Sequence, residues 1–158
     1  MIKTQNLIII IIFFFCSTLI LFSKEIRLKV DPEFRIDETN YNKQLIIEDH
    51  SYMDLFNKFT KSYNYSMILR EKIIKKLYLI TKKNDFDIDI LKRCIELTKE
   101  IKFNKISVPF LVRKTYYENN EVLIIYFVWG INSNDFAHYC YYVIDYKKNN
   151  ILFADSCL

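Results

Sequence analysis

The hydrophobic pattern of this 158-residue chain changes its period near residue 107, and this change most restricts the folds open to it. Between residues 51 and 102, apolar residues recur at helical spacing, as Leu69, Ile73 and Leu77 do. After residue 107, apolar and aromatic residues alternate or run on in short segments, as they do in strands. Helices followed by consecutive strands indicate an α+β fold in which the helices pack on one face of a sheet.

The helical part predicts about three N-terminal helices, over residues 51–62, 66–82 and 88–102. The first begins at Ser51–Asp54, which resembles a capping box. The third carries Cys94 on its apolar face, where a thiol packed in the core is the default interpretation. Residues 44–47 fit either a short strand or the beginning of the helical region.

The second part predicts a C-terminal four-stranded antiparallel meander, because short connections join strands that are neighbours. Its strands are expected over the segments 107–117, 121–130, 136–146 and 150–157. Asn119–Asn120 suits a type I′ turn between the first two. An additional N-terminal edge strand is expected over residues 25–30, where apolar and charged residues alternate, followed by a polar loop at residues 37–42.

The N-terminus predicts export. Lys3 provides a positive charge, and sixteen residues without a charge follow from Leu7 to Phe22. This pattern is typical of a signal peptide, with cleavage after Ser23, or of an uncleaved N-terminal membrane anchor slightly shorter than the ~20 residues of a full span. Residues 1–23 are therefore assigned to this leader, and residues 24–158 to a single α+β domain that is periplasmic, secreted or anchored outside the cytoplasm.

Composition excludes several function classes. Hydrophobic residues make up 51% of the chain, which disfavours disorder. The net charge of +4 includes Lys3 and Lys24 beside the leader, so the domain is too weakly basic to indicate nucleic-acid binding. Two histidines and scattered cysteines lack metal-ligand spacing, and no metal or cofactor is expected. A membrane contact is expected only through residues 7–22, if the leader is retained.

The last predicted hairpin brings two cysteines together. A loop of either Lys148–Asn149 or residues 147–150 places Cys140 opposite Cys157, where Cβ atoms are ~4.5–5.5 Å apart. An exported protein meets oxidising conditions, so Cys140–Cys157 is the candidate disulfide, with Cys94 left over. A three-residue loop would shift this register by one. The alternatives are a Cys94–Cys157 pair or three free thiols.

The same register offers a catalytic alternative. His138 and Cys140 share one face of their strand, and Asp155 is expected opposite Tyr142 on that face. A thiol, an imidazole and a carboxylate are the groups of a Cys-His-Asp hydrolase. However, neighbours along a strand face are ~6–7 Å apart, and no oxyanion hole is indicated. A structural role for Cys140, His138 and Asp155 is therefore the main interpretation.

Aromatic residues are dense on the predicted strands. If the helices cover only one face of the sheet, the other face needs a ligand, a partner chain or the N-terminal strand to cover it. A tyrosine-rich face suits contact with a protein or a small ligand, because each tyrosine combines an apolar ring with a polar tip. Cross-strand packing is the competing explanation. The binding-face candidates are Tyr126, Trp129, Tyr139, Tyr141 and Tyr142.

These observations favour an exported, small, non-enzymatic binding domain that uses its aromatic sheet to contact an unknown protein or small ligand. Two alternatives stay open. One is a thiol hydrolase or redox protein built on Cys140 and His138. The other is an inhibitor or immunity-type protein that acts on an enzyme outside the cytoplasm.

Overall fold

The computed structural model describes residues 28–64, 66–99, 106–130 and 137–156. They form a five-stranded mixed sheet with strand order β1-β2-β3-β4-β5. Strand β1 pairs with β2 in parallel, and the other neighbours are antiparallel. In chain order the elements are β1 (Glu33–Tyr41), α1 (Lys43–Glu48), α2 (Met53–Ser62), α3 (Met67–Lys83), α4 (Ile88–Lys99), β2 (Ile106–Tyr117), β3 (Asn120–Gly130), β4 (His138–Asp145) and β5 (Asn150–Ser156).

The α+β class and the antiparallel meander β2–β5 are confirmed. Helices α2 and α3 and the four meander strands lie within a residue or two of the predicted boundaries, and α4 begins at the predicted residue. Of the helical stripe predicted for α3, which also included Ile80, Leu69, Ile73 and Leu77 are buried and Ile80 is half-buried. Ser66 caps this helix, because its side chain accepts a hydrogen bond from the backbone N–H of Leu69.

The N-terminal strand is displaced from its predicted position. Of the predicted edge strand at 25–30, residues 25–27 lie outside the described residues and residues 28–30 are not part of a strand. Strand β1 occupies residues 33–41, most of which were expected to be a loop. In this polar segment the Asp37 side chain binds two distant partners. Asp37 accepts a hydrogen bond from the Thr115 hydroxyl at 2.6 Å and forms an ion pair with Arg113. These contacts let a charged segment join the sheet.

The helices were expected to precede all the strands of the sheet, apart from an optional edge strand, but they connect β1 to β2. A chain that crosses over through helices returns parallel to its first strand, which explains the single parallel pair. Residues 44–47, where strand and helix were both open, lie in the helix α1. Asn42 caps it by accepting from the Leu45 N–H at 2.9 Å.

Both faces of the sheet are covered, and this corrects the expectation of one open face. On one face, Tyr52 and Phe56 at the start of α2 pack against Tyr126 and Tyr139. On the other face, the α3–α4 hairpin packs against the side that carries Phe34, whose ring lies 5.5 Å from that of Phe86. Strand β3 is therefore buried along nearly its whole length.

Two hairpins differ in register from the expected pairing. The turn between β2 and β3 is centred on Glu118 and Asn119, both with positive φ, and Tyr117 pairs with Asn120. Before β5, the Asp145 carboxylate accepts from the backbone N–H groups of Lys147 and Lys148. With this cap, Asp145 pairs with Asn150, and the loop begins at Tyr146, one residue before the expected loop at 147–150 and two before the expected loop at 148–149.

Candidate functional site

The observed register separates the proposed catalytic groups. An irregularity between Val143 and Ile144 follows the early turn, and Cys140 comes to lie opposite Ser156. Asp155 then lies opposite Tyr141, on the face of the sheet away from Cys140 and His138. The prediction that Asp155 opposes Tyr142 on the same face as the thiol is therefore wrong, and the register does not supply a Cys-His-Asp arrangement.

The histidine of this strand is engaged by its cross-strand neighbour. His138 lies opposite Trp129, and the two rings stack with centroids 4.6 Å apart and planes at 26°. Cys140 is buried beside Tyr142, and burial of that tyrosine, with Cys140 as a secondary cause, raises its pKa. These contacts are those of side chains packed between a sheet and its helices.

The predicted disulfide loses the register on which it was based. Cys157 lies outside the described residues, and the residue opposite Cys140 is Ser156. No disulfide joins cysteines within the described ranges, so the Cys140–Cys157 bond stays a prediction. Cys94 is a buried core thiol of α4, as expected, and burial raises its pKa to about 11. The predicted leader, residues 1–23, also lies outside the described residues.

The aromatic binding-face candidates lie in the interior. Tyr126, Trp129, Tyr141 and Tyr142 are buried, and Tyr139 is half-buried between Tyr52 and Phe56. Tyr126 and Tyr141 point to the face under α2, whereas Trp129 and Tyr142 point to the face under α3 and α4. The five residues therefore divide between two covered faces and do not form one exposed surface.

A buried ionic cluster around Arg113 was not anticipated from the sequence. Arg113 is only 3% exposed and lies in the middle of β2. Its guanidinium donates hydrogen bonds to Asp49 and to the Tyr41 hydroxyl, and to the Ser51 hydroxyl at 2.5 Å. Only the alternation of β2 would have placed this cation on a buried face, and the sequence does not indicate its partners.

The charges of this Arg113 cluster stabilise one another. Burial by itself raises the pKa of Asp49, but hydrogen bonds from Ser51 and from Arg113 lower it overall to about 2. Burial raises the pKa of Tyr41 to about 12, and its hydroxyl donates to Asp49 at 2.9 Å. The guanidinium carbon also lies 5.7 Å from the centre of the Tyr126 ring.

The Arg113 cluster has a structural role, because it joins separate elements of the fold. Its members come from β1, β2, and the segment from α1 to α2, so it fixes α1 and α2 on the sheet. Two carboxylates, of Asp37 and Asp49, more than balance the one guanidinium, which leaves no net attraction for an anionic ligand. Two buried polar atoms here have no hydrogen-bond partner among the described residues: the Tyr126 hydroxyl and the Arg113 Nε, which lies 3.3 Å from the Asp37 carboxylate in an ion pair.

Neither a metal centre nor a membrane span is found in the described part of the chain. Residues 28–64, 66–99, 106–130 and 137–156 hold no cluster of three or more potential metal ligands. No helix in these ranges combines the length and the apolar character needed to cross a bilayer. His50 lies between α1 and α2 and is exposed.

The surface features that remain are the two edges of the sheet and the outer faces of the helices. Strand β1 forms one edge, and it contains four charged residues and an interrupted pairing between Ile36 and Asn40. Strand β5 forms the other edge and contains one charged residue, Asp155. Leu152 is 38% exposed where the pairing of β5 with β4 is irregular.

Comparison with known proteins identifies no relative of this chain. No protein-family profile matches the chain, and no curated protein and no solved structure is significantly similar to it. The interpretation of function therefore depends on the sequence and on the described residues.

Proposed function

We propose that this chain is a small, exported, non-enzymatic domain that binds another protein by strand addition at the edge strand β5. The observation that carries the proposal is the difference between the two edges of the sheet. In strand addition, an extended segment of the partner lies beside an edge strand. Its backbone forms hydrogen bonds with the outward backbone N–H and C=O groups of that strand.

Edge strands of soluble proteins are normally protected by lysine, proline, charged side chains or irregular pairing. Strand β1 has such protection in the form of Glu33, Arg35, Asp37 and Glu38. Strand β5 has neither lysine nor proline, and its sequence is NILFADS. Its protective features are the single charge of Asp155 and the irregular pairing near Leu152. This composition favours an edge that is used for binding.

The side chains of β5 also support a partner that brings apolar residues. Leu152 is exposed, and Phe153 is half-buried between the Tyr141 ring, 6.1 Å away, and the ammonium of Lys43, 5.6 Å away. An added strand would extend this apolar row outward and would bury Leu152. The proposal therefore keeps the binding role inferred from the sequence and moves it from the aromatic sheet face to the β5 edge.

The first test is site-specific photo-crosslinking in the cells from which the chain comes. A photoreactive phenylalanine analogue replaces Leu152 in one variant and Leu45, on the outer side of α1, in a matched control. Both leucines are exposed, at 38% and 47%, so folding is expected to tolerate either change. We expect a discrete crosslinked protein with the probe at residue 152 and none at residue 45.

Charge variants then test whether the edge itself is bound. Leu152→Lys with Ala154→Lys adds the residues that protect natural edges, and the partner identified by crosslinking should no longer bind. Ile36→Lys on β1 is the matched control, because Ile36 is also exposed, at 55%, and lies on the opposite edge. Equal binding of the partner by the natural chain, the Leu152→Lys, Ala154→Lys double variant and the Ile36→Lys variant would refute the proposal. Crosslinking at residue 45 as strong as at residue 152 would also refute it.

A further inference from the structure

Helix α3 carries apolar side chains on two opposite sides. Leu69, Ile73, Leu77 and Thr81 face the sheet and are buried. On the outer side, Ile68 is 67% exposed and Leu79 is 58% exposed. These two residues are eleven positions apart, which is three helical turns, so they lie on one stripe. Neither α2 nor α4 has an exposed large apolar residue among its described side chains.

The same outer side of α3 is basic. Lys72, Lys75 and Lys82 lie on or beside the stripe of Ile68 and Leu79, with Lys83 at its end. Among the ion pairs formed between described residues, none involves these four lysines. The one acidic residue on this side is Glu71. The outer side of α4, in contrast, pairs Lys92 with Asp89 at 2.7 Å.

The start of the described chain lies against this part of the molecule. The Tyr63 hydroxyl, just before α3, donates to the Val30 carbonyl at 2.9 Å and accepts from the Val30 N–H at 2.7 Å. Asp31 forms an ion pair with Lys76 of α3 at 3.4 Å. The uncharged run ends at Phe22, six residues before Leu28, and six residues span at most about 20 Å.

We infer that the outer face of α3, formed by Ile68, Lys72, Lys75, Leu79 and Lys82, docks on an anionic phospholipid surface. Lysine side chains near such a surface are attracted by its negative potential, each strengthening the contact about fivefold, and exposed apolar side chains insert at the interface. A leader retained in the bilayer would hold α3 within reach of the headgroups. This inference is independent of the β5 edge, which lies at the far side of the sheet from β1.

The test uses the full chain, synthesised without cells in the presence of vesicles so that residues 1–23 are retained. Leu79→Trp places a fluorophore on the docking face, and Leu45→Trp places one on α1 as the matched control. The vesicles are phosphatidylcholine with brominated acyl chains, with or without phosphatidylglycerol. Brominated lipid quenches the fluorescence of a tryptophan that enters the interface. The unsubstituted chain, whose tryptophan is the buried Trp129, gives the background fluorescence.

We expect Leu79→Trp to be quenched in the vesicles that contain phosphatidylglycerol and much less in the neutral ones. Leu45→Trp should be quenched little in either. Adding Lys72→Glu and Lys75→Glu to the Leu79→Trp chain should reduce quenching to the neutral-vesicle level. Ile68→Trp is a second probe if Leu79→Trp lacks the circular dichroism of the folded chain. Equal quenching at residues 79 and 45, or no dependence on anionic lipid or on the two lysines, would overturn the inference.

Discussion

Replacing Arg113 by methionine is expected to remove about 3 kcal/mol from the free energy of unfolding. Methionine keeps most of the aliphatic volume and removes the charge, so the Asp49 carboxylate loses its cation. Removing one partner of a buried ion pair costs ~3–5 kcal/mol. The lower end applies because Asp49 and Asp37 are 14% and 32% exposed, and water reaches both carboxylates after the change.

The pH dependence of this loss follows from Asp49. Its pKa is about 2 in the folded chain, against an ordinary value of 3.8. A lowered carboxyl pKa contributes stability above the unfolded value, and this contribution is lost as the pH falls from about 5 to 2. Without Arg113 the pKa of Asp49 rises toward or above its ordinary value. The variant should therefore lose less stability over this acid range than the natural chain.

The assay is urea unfolding followed by circular dichroism, at neutral pH and at several acid values. Lys58→Met on the exposed side of α2 is the control, because it removes a positive charge outside the cluster. Asp49→Asn and the double variant complete a mutant cycle, in which the two losses should add to more than the loss of the double variant. A loss below about 1 kcal/mol for Arg113→Met, or an unchanged acid slope, would refute the structural role assigned to the cluster.

Two further predictions concern the interior. Tyr126→Phe removes a buried hydroxyl that has no hydrogen-bond partner among the described residues, so the free energy of unfolding should stay the same or rise by up to about 1 kcal/mol. A clear decrease of this free energy in urea unfolding would show that the hydroxyl forms a hydrogen bond. Cys94 is 1% exposed and its pKa is raised to about 11, so iodoacetamide at neutral pH should modify it only after unfolding; mass spectrometry that finds rapid modification in the native protein would contradict this.

Much of the fold could be predicted because the local signals were strong. The helical stripe of α3 and the apolar strands β2 to β5 are set by periodicity within each segment, and their tertiary contacts agree with it. Strand β1 could not be predicted, because its inward-facing Asp37 depends on Thr115 and Arg113, which are far away in the chain. Local pattern carries no information about such a partner.

The candidate sites depended on finer detail than periodicity supplies. The Cys140, His138 and Asp155 arrangement and the Cys140–Cys157 pairing both assumed one register between β4 and β5. Hydrogen bonds from two backbone N–H groups to Asp145 accompany an earlier turn, and this turn together with the irregularity between Val143 and Ile144 changed that register. Ser51 was similarly expected to cap α2, whereas its hydroxyl binds Arg113.

The helices cover both faces of the sheet, whereas the sequence indicated that they would cover one. Three helices were expected to cover one face, which would have left an aromatic face open. The additional helix α1 and the long crossover distribute four helices over both faces, with α1 and α2 on one side and α3 and α4 on the other. The aromatic residues of β3 and β4 are therefore explained by packing. The surfaces available for binding are the β5 edge and the outer face of α3.

Hydrogen–deuterium exchange of β5, with and without the partner identified by crosslinking at residue 152, tests the proposed function most directly. Strand addition would give new hydrogen bonds to the outward N–H groups of Asn150–Ser156, so their exchange should slow in the complex while that of β1 stays unchanged. A complex that forms while β5 exchanges as fast as in the free protein would contradict binding at this edge.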